Sequence, residues 1–351
     1  MYACSYSGYG SPDVLKYVEL PIPTPKANEV LIRVCTTTVS SGDWRARSLT
    51  MPAGMGLIGR LVFGISRPRK QVLGTELSGI IETVGTNVTA FKLGDAVIGF
   101  PGASFGAHAE YIVMPATGKI VAKPENLSFE VAAAIPFGGT TAYDFLVNKG
   151  KLRAGERVLV NGASGSTGSA CVQLAKYLGA DVTGVCSAAN ADLVRSIGAD
   201  RVIDYNTEDF TRNGPQYDVV VDTAGTAPWT RTQHALVSGG RMLMIAGSAS
   251  DIIFGGLKAR FHGKRLIGGV ASEAVAILQK VVQLTVDGHF DPVIDRAFAF
   301  SQMAAAHTHV DTRHKKGNVV VRIATDLVPP SGLVPVLPDI PAPQQIQAGH
   351  S

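Results

Sequence analysis

Two rhythms of apolar and polar positions run along this 351-residue chain. Beyond about residue 150, short apolar runs alternate with amphipathic stretches. Residues 158–160 stop at a glycine-rich turn, and residues 169–178 then space their apolar positions as a helix does. Residues 182–185 predict a second strand, 192–197 a helix ended by Gly198, and 201–204, 217–222 and 241–246 three further strands. Strands separated by helices at this spacing predict a parallel sheet covered on both faces. Before residue 128 the runs at 29–34, 78–84, 96–100 and 109–114 are short, with Gly and Pro between them and a turn at 92–95. That pattern predicts a separate, partly open β-barrel. The fold class is therefore α/β, a barrel joined to a doubly wound sheet.

The turn after the first of the later strands reads Gly162-Ala163-Ser164-Gly165-Ser166-Thr167-Gly168. Ala163, Gly165 and Gly168 take three small positions: one for a tight turn, one for close approach of a pyrophosphate, one for helix–strand packing. Ser164, Ser166 and Thr167 stand between them, and the following helix N-terminus offers free N–H groups and the positive end of its dipole. Strand, glycine turn and helix in this order predict a dinucleotide site. The second strand ends at Ser187 with no carboxylate in the following turn, where an acidic group would bind ribose hydroxyls and repel a 2′-phosphate. Ser187 and Asn190 can donate to a phosphate, so NADPH is expected over NADH.

Composition narrows the class. The chain is 46% hydrophobic and 17% charged, enough for a large core, and its formal charge of +4 does not call for nucleic acid. No apolar run reaches the roughly 18 residues of a membrane span, and the N-terminus lacks a signal-peptide pattern. Cys4, Cys35, Cys171 and Cys186 are scattered, which suggests neither a zinc ribbon nor a disulfide framework but buried thiols in a reducing cytoplasm. Arg60, Arg67, Arg69 and Lys70 adjoin the apolar segment 51–63. In the absence of a long basic amphipathic helix this reads as a solvated loop beside the substrate cleft, with a membrane-surface or lid role as the alternative. His307, His309 and His314, with Asp311, do not share one helical face, so no metal site is expected there. Residues 326–351 are rich in Pro, Gln, Ala and Gly and read as a disordered tail.

Several motifs carry a family resemblance: Tyr9-Gly-Ser-Pro-Asp-Val-Leu15, Asn28-Glu-Val-Leu-Ile32, Ser41-Gly-Asp-Trp44, Gly74-Thr-Glu-Leu-Ser-Gly79, Ile81-Glu-Thr-Val-Gly85, Phe91-Lys-Leu-Gly-Asp95, Thr141-Ala142, and the run from Gly155-Glu-Arg-Val-Leu159 through Gln173-Leu-Ala-Lys176. From Met1 to about Thr325 the chain resembles the medium-chain dehydrogenase/reductase superfamily, on its zinc-free quinone oxidoreductase (zeta-crystallin-like) branch. Ser166 departs from the glycine of many relatives.

The resemblance implies a GroES-like catalytic domain at 1–128, a Rossmann NADP-binding domain at 129–270, a return to the catalytic domain at 271–325 and the tail at 326–351. Ser40 or Ser41 and Thr75-Glu76 stand where zinc relatives carry cysteine and His-Glu, and the cysteine-rich structural zinc lobe is missing after Gly99, so no zinc is expected. It implies Tyr205 and Arg313 at the 2′-phosphate and Gly225 and Gly247 beside the nicotinamide end. Ser41, Asp43, Trp44, Thr75 and Thr141 are the candidate catalytic residues. For Asp43 a cap on the segment 44–49 is the competing role, and for Trp44 plain cleft packing. Without a metal, suitable hydride acceptors are already electrophilic, namely quinones and α,β-unsaturated carbonyls. An alcohol dehydrogenase or aldehyde reductase and a cofactor-binding but idle crystallin-like protein are the alternatives. Relatives pair through sheet edges, so a homodimer through residues 265–270 is expected, together with a small-molecule substrate and no stable membrane insertion.

Overall fold

The computed structural model describes residues 1–52, 54–247, 251, 259–260 and 262–323. The tail predicted at 326–351 lies outside them. Fifteen strands are described: β1 (Tyr2–Tyr6), β2 (Leu15–Glu19), β3 (Glu29–Thr38), β4 (Leu77–Val84), β5 (Ala96–Gly99), β6 (Tyr111–Pro115), β7 (Ile120–Ala122), β8 (Arg157–Asn161), β9 (Asp181–Cys186), β10 (Arg201–Asp204), β11 (Tyr217–Asp222), β12 (Leu236–Met244), β13 (Arg265–Gly268), β14 (Ile294–Ala299) and β15 (Asn318–Arg322). The α-helices among the described residues are α1 (Ser41–Ser48), α2 (Gly56–Phe63), α3 (Phe129–Ala134), α4 (Pro136–Tyr143), α5 (Ser166–Tyr177), α6 (Ala191–Ser196), α7 (Trp229–Thr232), α8 (Val275–Val286) and α9 (Met303–Asp311).

The second half of the chain builds a parallel sheet in the order β10-β9-β8-β11-β12-β13. This is the doubly wound arrangement, and the order reverses between β8 and β11. Its strands are apolar on both sides because both faces are covered: Val158, Val160, Val219 and Val221 join one core, Leu159, Val185, Val220 and Met242 the other. Helix α5 turns Gly168, Ala170, Cys171, Val172, Leu174 and Ala175 inward. Gly198 ends the α6 region with φ +109°, a left-handed conformation that costs glycine little.

The barrel lobe centres on the long strand β3, which pairs antiparallel with β4, β6 and β15. Its core gathers Val30, Ile32, Val34, Leu77, Ile81, Val97 and Val321. Three barrel residues, Ile98, Phe100 and Val121, instead pack into the core of the nucleotide lobe, so apolar contact runs unbroken between the lobes. The return to the barrel was expected at 271. In the structure α8 is buried in the nucleotide-lobe core through Ile277, Leu278, Val281 and Val282, so the chain re-enters the barrel sheet only at β14. The segment read as a solvated loop at 51–63 instead forms α2 over its second half.

The guanidinium of Arg47 is fully enclosed in the barrel lobe. Arg47 on α1 donates from Nη1 to the Gly10 carbonyl at 2.5 Å, from Nε to Nδ1 of His307 at 3.3 Å, and from Nη2 to Asp311. Together these contacts tie α1 to α9 and to the chain near Gly10. His309 meets Asp295 at 2.6 Å and His314 is exposed, so the three histidines point to three different surroundings. Replacing Arg47 with Ala would leave the Gly10 carbonyl and Asp311 without their cation, and should cost about 3 kcal/mol or more of stability. The urea midpoint checks this; an unchanged midpoint would contradict it.

Candidate active site

At the carboxyl end of β8 the chain turns at Gly162, φ +81°. Ala163 had been read as the residue allowing this turn. It lies one position too late, because the left-handed conformation falls on Gly162, and Ala163 is buried instead. Gly165 follows as the N-cap of α5, with the Gly162 carbonyl 3.5 Å from where its Cβ would stand as its sole neighbour. Gly168 is the opposite case. A Cβ there would lie 1.9 Å from the Gly162 carbonyl oxygen, so only glycine lets α5 press onto the turn. No side chain caps α5. Its first-turn amides carry no side-chain cap and can meet an anion, beside the returning Gly317, which pairs with Gly165 as an isolated parallel bridge.

The neighbouring strand ends complete this rim. Asp222, at the end of β11, accepts from the backbone N–H groups of Ala224, Gly225 and Ala227 and from Asn161 Nδ2 at 2.9–3.2 Å. These bonds fix the loop carrying Gly225, whose φ is +74°. Gly247 follows β12, and a Cβ there would collide with Met244 at 2.0 Å. At the end of β9, Asn190 donates to Ser164 Oγ at 3.1 Å, linking that turn to the phosphate-type turn. Tyr205 sits beside Cys186 through a backbone hydrogen bond of 3.2 Å, and its ring is exposed. Ser187, Asn190 and Tyr205 thus border one edge of the sheet. Arg313 has a different neighbour: its guanidinium lies 4.7 Å from the Trp44 ring centroid, a cation–π contact on the barrel side.

The barrel contributes a compact polar cluster. Ser40 is the N-cap of α1, accepting from the Asp43 N–H at 3.2 Å, while the Asp43 carboxylate accepts from the Ser40 N–H at 2.8 Å. Asp43 therefore belongs to a capping box, at the third helical position of a helix that starts at Ser41, rather than capping a segment that begins at Trp44. It also accepts from Ser40 Oγ at 2.6 Å and from the Gly74 N–H at 2.8 Å, and Thr75 Oγ1 lies 3.0 Å from Ser40 Oγ. With its acceptor positions committed and no exposure, Asp43 holds the backbone that carries Ser41 and Thr75. Ser41 and Trp44 are half-buried. Thr141 Oγ1 donates back to the Phe137 carbonyl of its own helix at 2.7 Å.

These pieces meet through α4. A Cβ on Gly42 would touch both Phe137 and Thr75, and a Cβ on Gly138 would lie 2.8 Å from Ser166 Oγ. The start of α1, the residues before β4, α4 and the α5 N-terminus accordingly converge. The returning segment closes the far side: the Gly317 N–H donates to the Ser164 carbonyl at 2.8 Å, and Ser166 Oγ to Asn318 Oδ1 at 2.6 Å.

Two ionisable groups in this region were not singled out as site residues from the sequence, Glu76 and Lys315. Glu76 is buried, accepting from Thr38 Oγ1 and from the Phe137 N–H at 2.6 Å. Burial pushes its carboxyl up from the ordinary 4.5 to about 8 despite those hydrogen bonds. Desolvation pushes Lys315 down to about 8, opposed by the charges of Glu76 and Asp295. A glutamate following an apolar-flanked Gly74-Thr75 was the available signal; Lys315 had none, because it reaches this place only through the return of the chain.

Between pH 4.5 and about 8 the native chain holds a proton on Glu76 that the unfolded chain has released. The stability contributed by neutral Glu76 is complete below that window and is lost as the pH rises through it. Lys315 acts in the separate window from about 8 to 10.5. Glu76→Gln, which keeps an acceptor for Phe137, should flatten the fall in urea midpoint between pH 5 and pH 8. Parallel pH profiles for the two proteins would refute the assignment.

Comparison with known proteins finds relatives along nearly the whole chain. Residues 26–125 match the family model described as alcohol dehydrogenase GroES-like domain, and residues 197–321 that described as zinc-binding dehydrogenase. The chain is 31% identical over 335 residues to a quinone-oxidoreductase homolog, chloroplastic, from Spinacia oleracea, covering 92% of this chain and 98% of the relative. It is 30% identical to an NADPH-dependent alkenal/one oxidoreductase, chloroplastic, from Arabidopsis thaliana, covering 92% of this chain and 79% of the relative. Among solved structures, the quinone oxidoreductase from Coxiella burnetii superposes with a TM-score of 0.80 at 26% identity, over 92% of this chain and 99% of that one.

Proposed function

This chain belongs to the medium-chain dehydrogenase/reductase superfamily, on its quinone oxidoreductase branch, and from that premise we propose an NADPH-dependent reductase of quinones or α,β-unsaturated carbonyls that needs no zinc. The observation that carries the proposal is the uncapped N-terminus of α5, following Gly165, at the point where the strand order reverses. Amides of Ser166, Thr167 and Gly168 would hold the pyrophosphate, and Gly225 and Gly247 would border the nicotinamide end. Ser187, Asn190 and Tyr205 would take the 2′-phosphate; the turn after β9 holds no carboxylate to repel it, and the nearby Asp204, paired with Cys186, is bonded to Asn206. Arg313 joins them only if it leaves Trp44.

A bound reduced nicotinamide supplies hydride. The protein's task is then to orient an electrophilic acceptor and to stabilise the negative charge that grows on its oxygen. Ser41 has a hydroxyl near the convergence of the two lobes and is the donor we assign to that oxygen; Thr141, whose one hydroxyl proton goes to the Phe137 carbonyl, lines the site beside it. Asp43 and Thr75 act by positioning, through the capping box and the Ser40 contact.

Zinc independence rests on donor chemistry, although one matching family model is described as zinc-binding. Where thiolate and imidazole would be needed, the cluster offers the hydroxyls of Ser40 and Thr75, already bonded to each other and to Asp43. A hydroxyl at its ordinary pKa is a poor zinc ligand, so the residues present do not fit the ion. The free cysteines Cys4, Cys171 and Cys186 are buried and Cys35 partly so, which suits the reducing cytoplasm we propose as its location. No described helix is long and apolar enough to cross a membrane. The outer position of β13 in the sheet supports a homodimer formed along that edge.

Titration calorimetry should give tighter binding for NADPH than for NADH. Tyr205→Ala should weaken NADPH about tenfold, the value of one charge-assisted hydrogen bond, and leave NADH nearly unchanged. Absence of heat with both nucleotides would end the proposal. Quinone or enone reduction should survive a strong chelator; activity restored only by zinc would favour an alcohol dehydrogenase instead. In sedimentation velocity the chain should run as a dimer, and a monomer at micromolar concentration would remove β13 as an interface.

A further inference from the structure

Helix α2 is anchored by one face and leaves the other bare. Gly59 is buried against Met51, where a Cβ would stand 2.5 Å from the Met51 side chain. Phe63 packs into the barrel core and meets the Phe105 ring at a centroid distance of 6.3 Å. Opposite that anchor, Leu57, Ile58, Leu61 and Val62 follow the i, i+4 spacing of one helical stripe, and Ile65 continues it beyond the helix end. These five side chains are 46% to 73% exposed. They are five of the eleven large hydrophobic side chains that stand exposed among the described residues, gathered within nine positions. Scattered single exposures need no explanation, but a contiguous aliphatic stripe does.

The charge around the stripe identifies its partner. Arg60, Arg67, Arg69 and Lys70 are all exposed, and among the described residues none of them is in an ion pair. Arg60 is held by the Ile65 carbonyl at 2.8 Å, which keeps its guanidinium at the rim of the stripe. No Asp or Glu occurs between Asp43 and Glu76. A second copy of the chain would bring four like charges against these four. An anionic lipid surface would neutralise them while taking up the aliphatic side chains at the level of the acyl boundary.

We infer that α2 and the basic segment 67–70 form a peripheral docking surface for an anionic lipid bilayer. The surface lies beside the inter-lobe rim: Phe105, which α2 touches, follows Gly102, and a Cβ on Gly102 would stand 2.5 Å from Glu273 of the nucleotide lobe. Docking there would hold the rim close to the bilayer, where lipophilic acceptors dissolve. The inference stands on the patch itself and does not depend on the proposed reaction.

The test is co-sedimentation of the full chain with vesicles of phosphatidylcholine alone or mixed with phosphatidylglycerol, in low and high salt. The chain should pellet with the mixed vesicles, stay largely in solution with phosphatidylcholine alone, and be released by salt. Removing each of Arg67, Arg69 and Lys70 as Gln should weaken binding about fivefold. The doubly substituted L57D/L61D chain should lose it, with far-ultraviolet circular dichroism confirming that it remains folded. A chain that never pellets overturns the inference, as does vesicle binding that L57D/L61D leaves intact. A change of oligomeric state in L57D/L61D, without vesicle binding by the parent chain, would show that a second copy covers the stripe instead.

Discussion

The close contact between α5 and the turn before it sets the geometry of the nucleotide lobe. Gly168 comes so near the Gly162 carbonyl that even a methyl group would not fit. This contact keeps the start of the helix at the end of β8, beside the strand-order reversal, with no side chain of its own across the opening. A helix displaced by one side-chain radius would still close the sheet, but its amides would no longer face the rim formed by β9, β11 and β12. Backbone proximity, rather than any one polar side chain, makes this place suited to an anion.

The barrel is joined to that place by contacts of different kinds. Apolar side chains of β5 and β7 enter the nucleotide-lobe core. Phe137 and Gly138 of α4 lie between the barrel cluster and Ser166, and the return segment adds the backbone bond from Gly317 to Ser164. Burying Glu76 beside these contacts costs stability once it ionises, because desolvation outweighs its hydrogen bonds from Thr38 and Phe137. Asp43 does a structural job instead, its oxygens accepting from backbone amides and a hydroxyl.

Much of this was legible before any coordinates. Strands β10 and β11 fall where their apolar, β-branched runs begin and end, because turn residues bound them clearly. The glycine turn was recognisable from its spacing, yet that spacing could not say that Gly162, not Ala163, carries the left-handed bend. Capping was foreseen for Asp43 but not its partner: Ser40 stands before the helix, and only the paired bonds reveal where the helix starts. The boundary at 271 failed because an apolar helix carries no label for the core it enters. Asn318 lies some 150 residues beyond the turn it contacts, and Lys315 comes in on the same returning segment; no local pattern encodes such contacts.

Chain topology has a consequence for biosynthesis. Strand β3 is made early, but its neighbour β15 is the last strand in the described chain. Every strand of the parallel sheet emerges from the ribosome between these two partners. The nucleotide lobe can thus assemble while β3, already paired with β4 and β6, still waits for a partner at residues 36–38, and the barrel sheet closes only when translation is nearly over. A truncation just before residue 318 would leave residues 36–38 of β3 and the whole of β14 without their partner, an exposed edge on the barrel beside an otherwise complete nucleotide lobe.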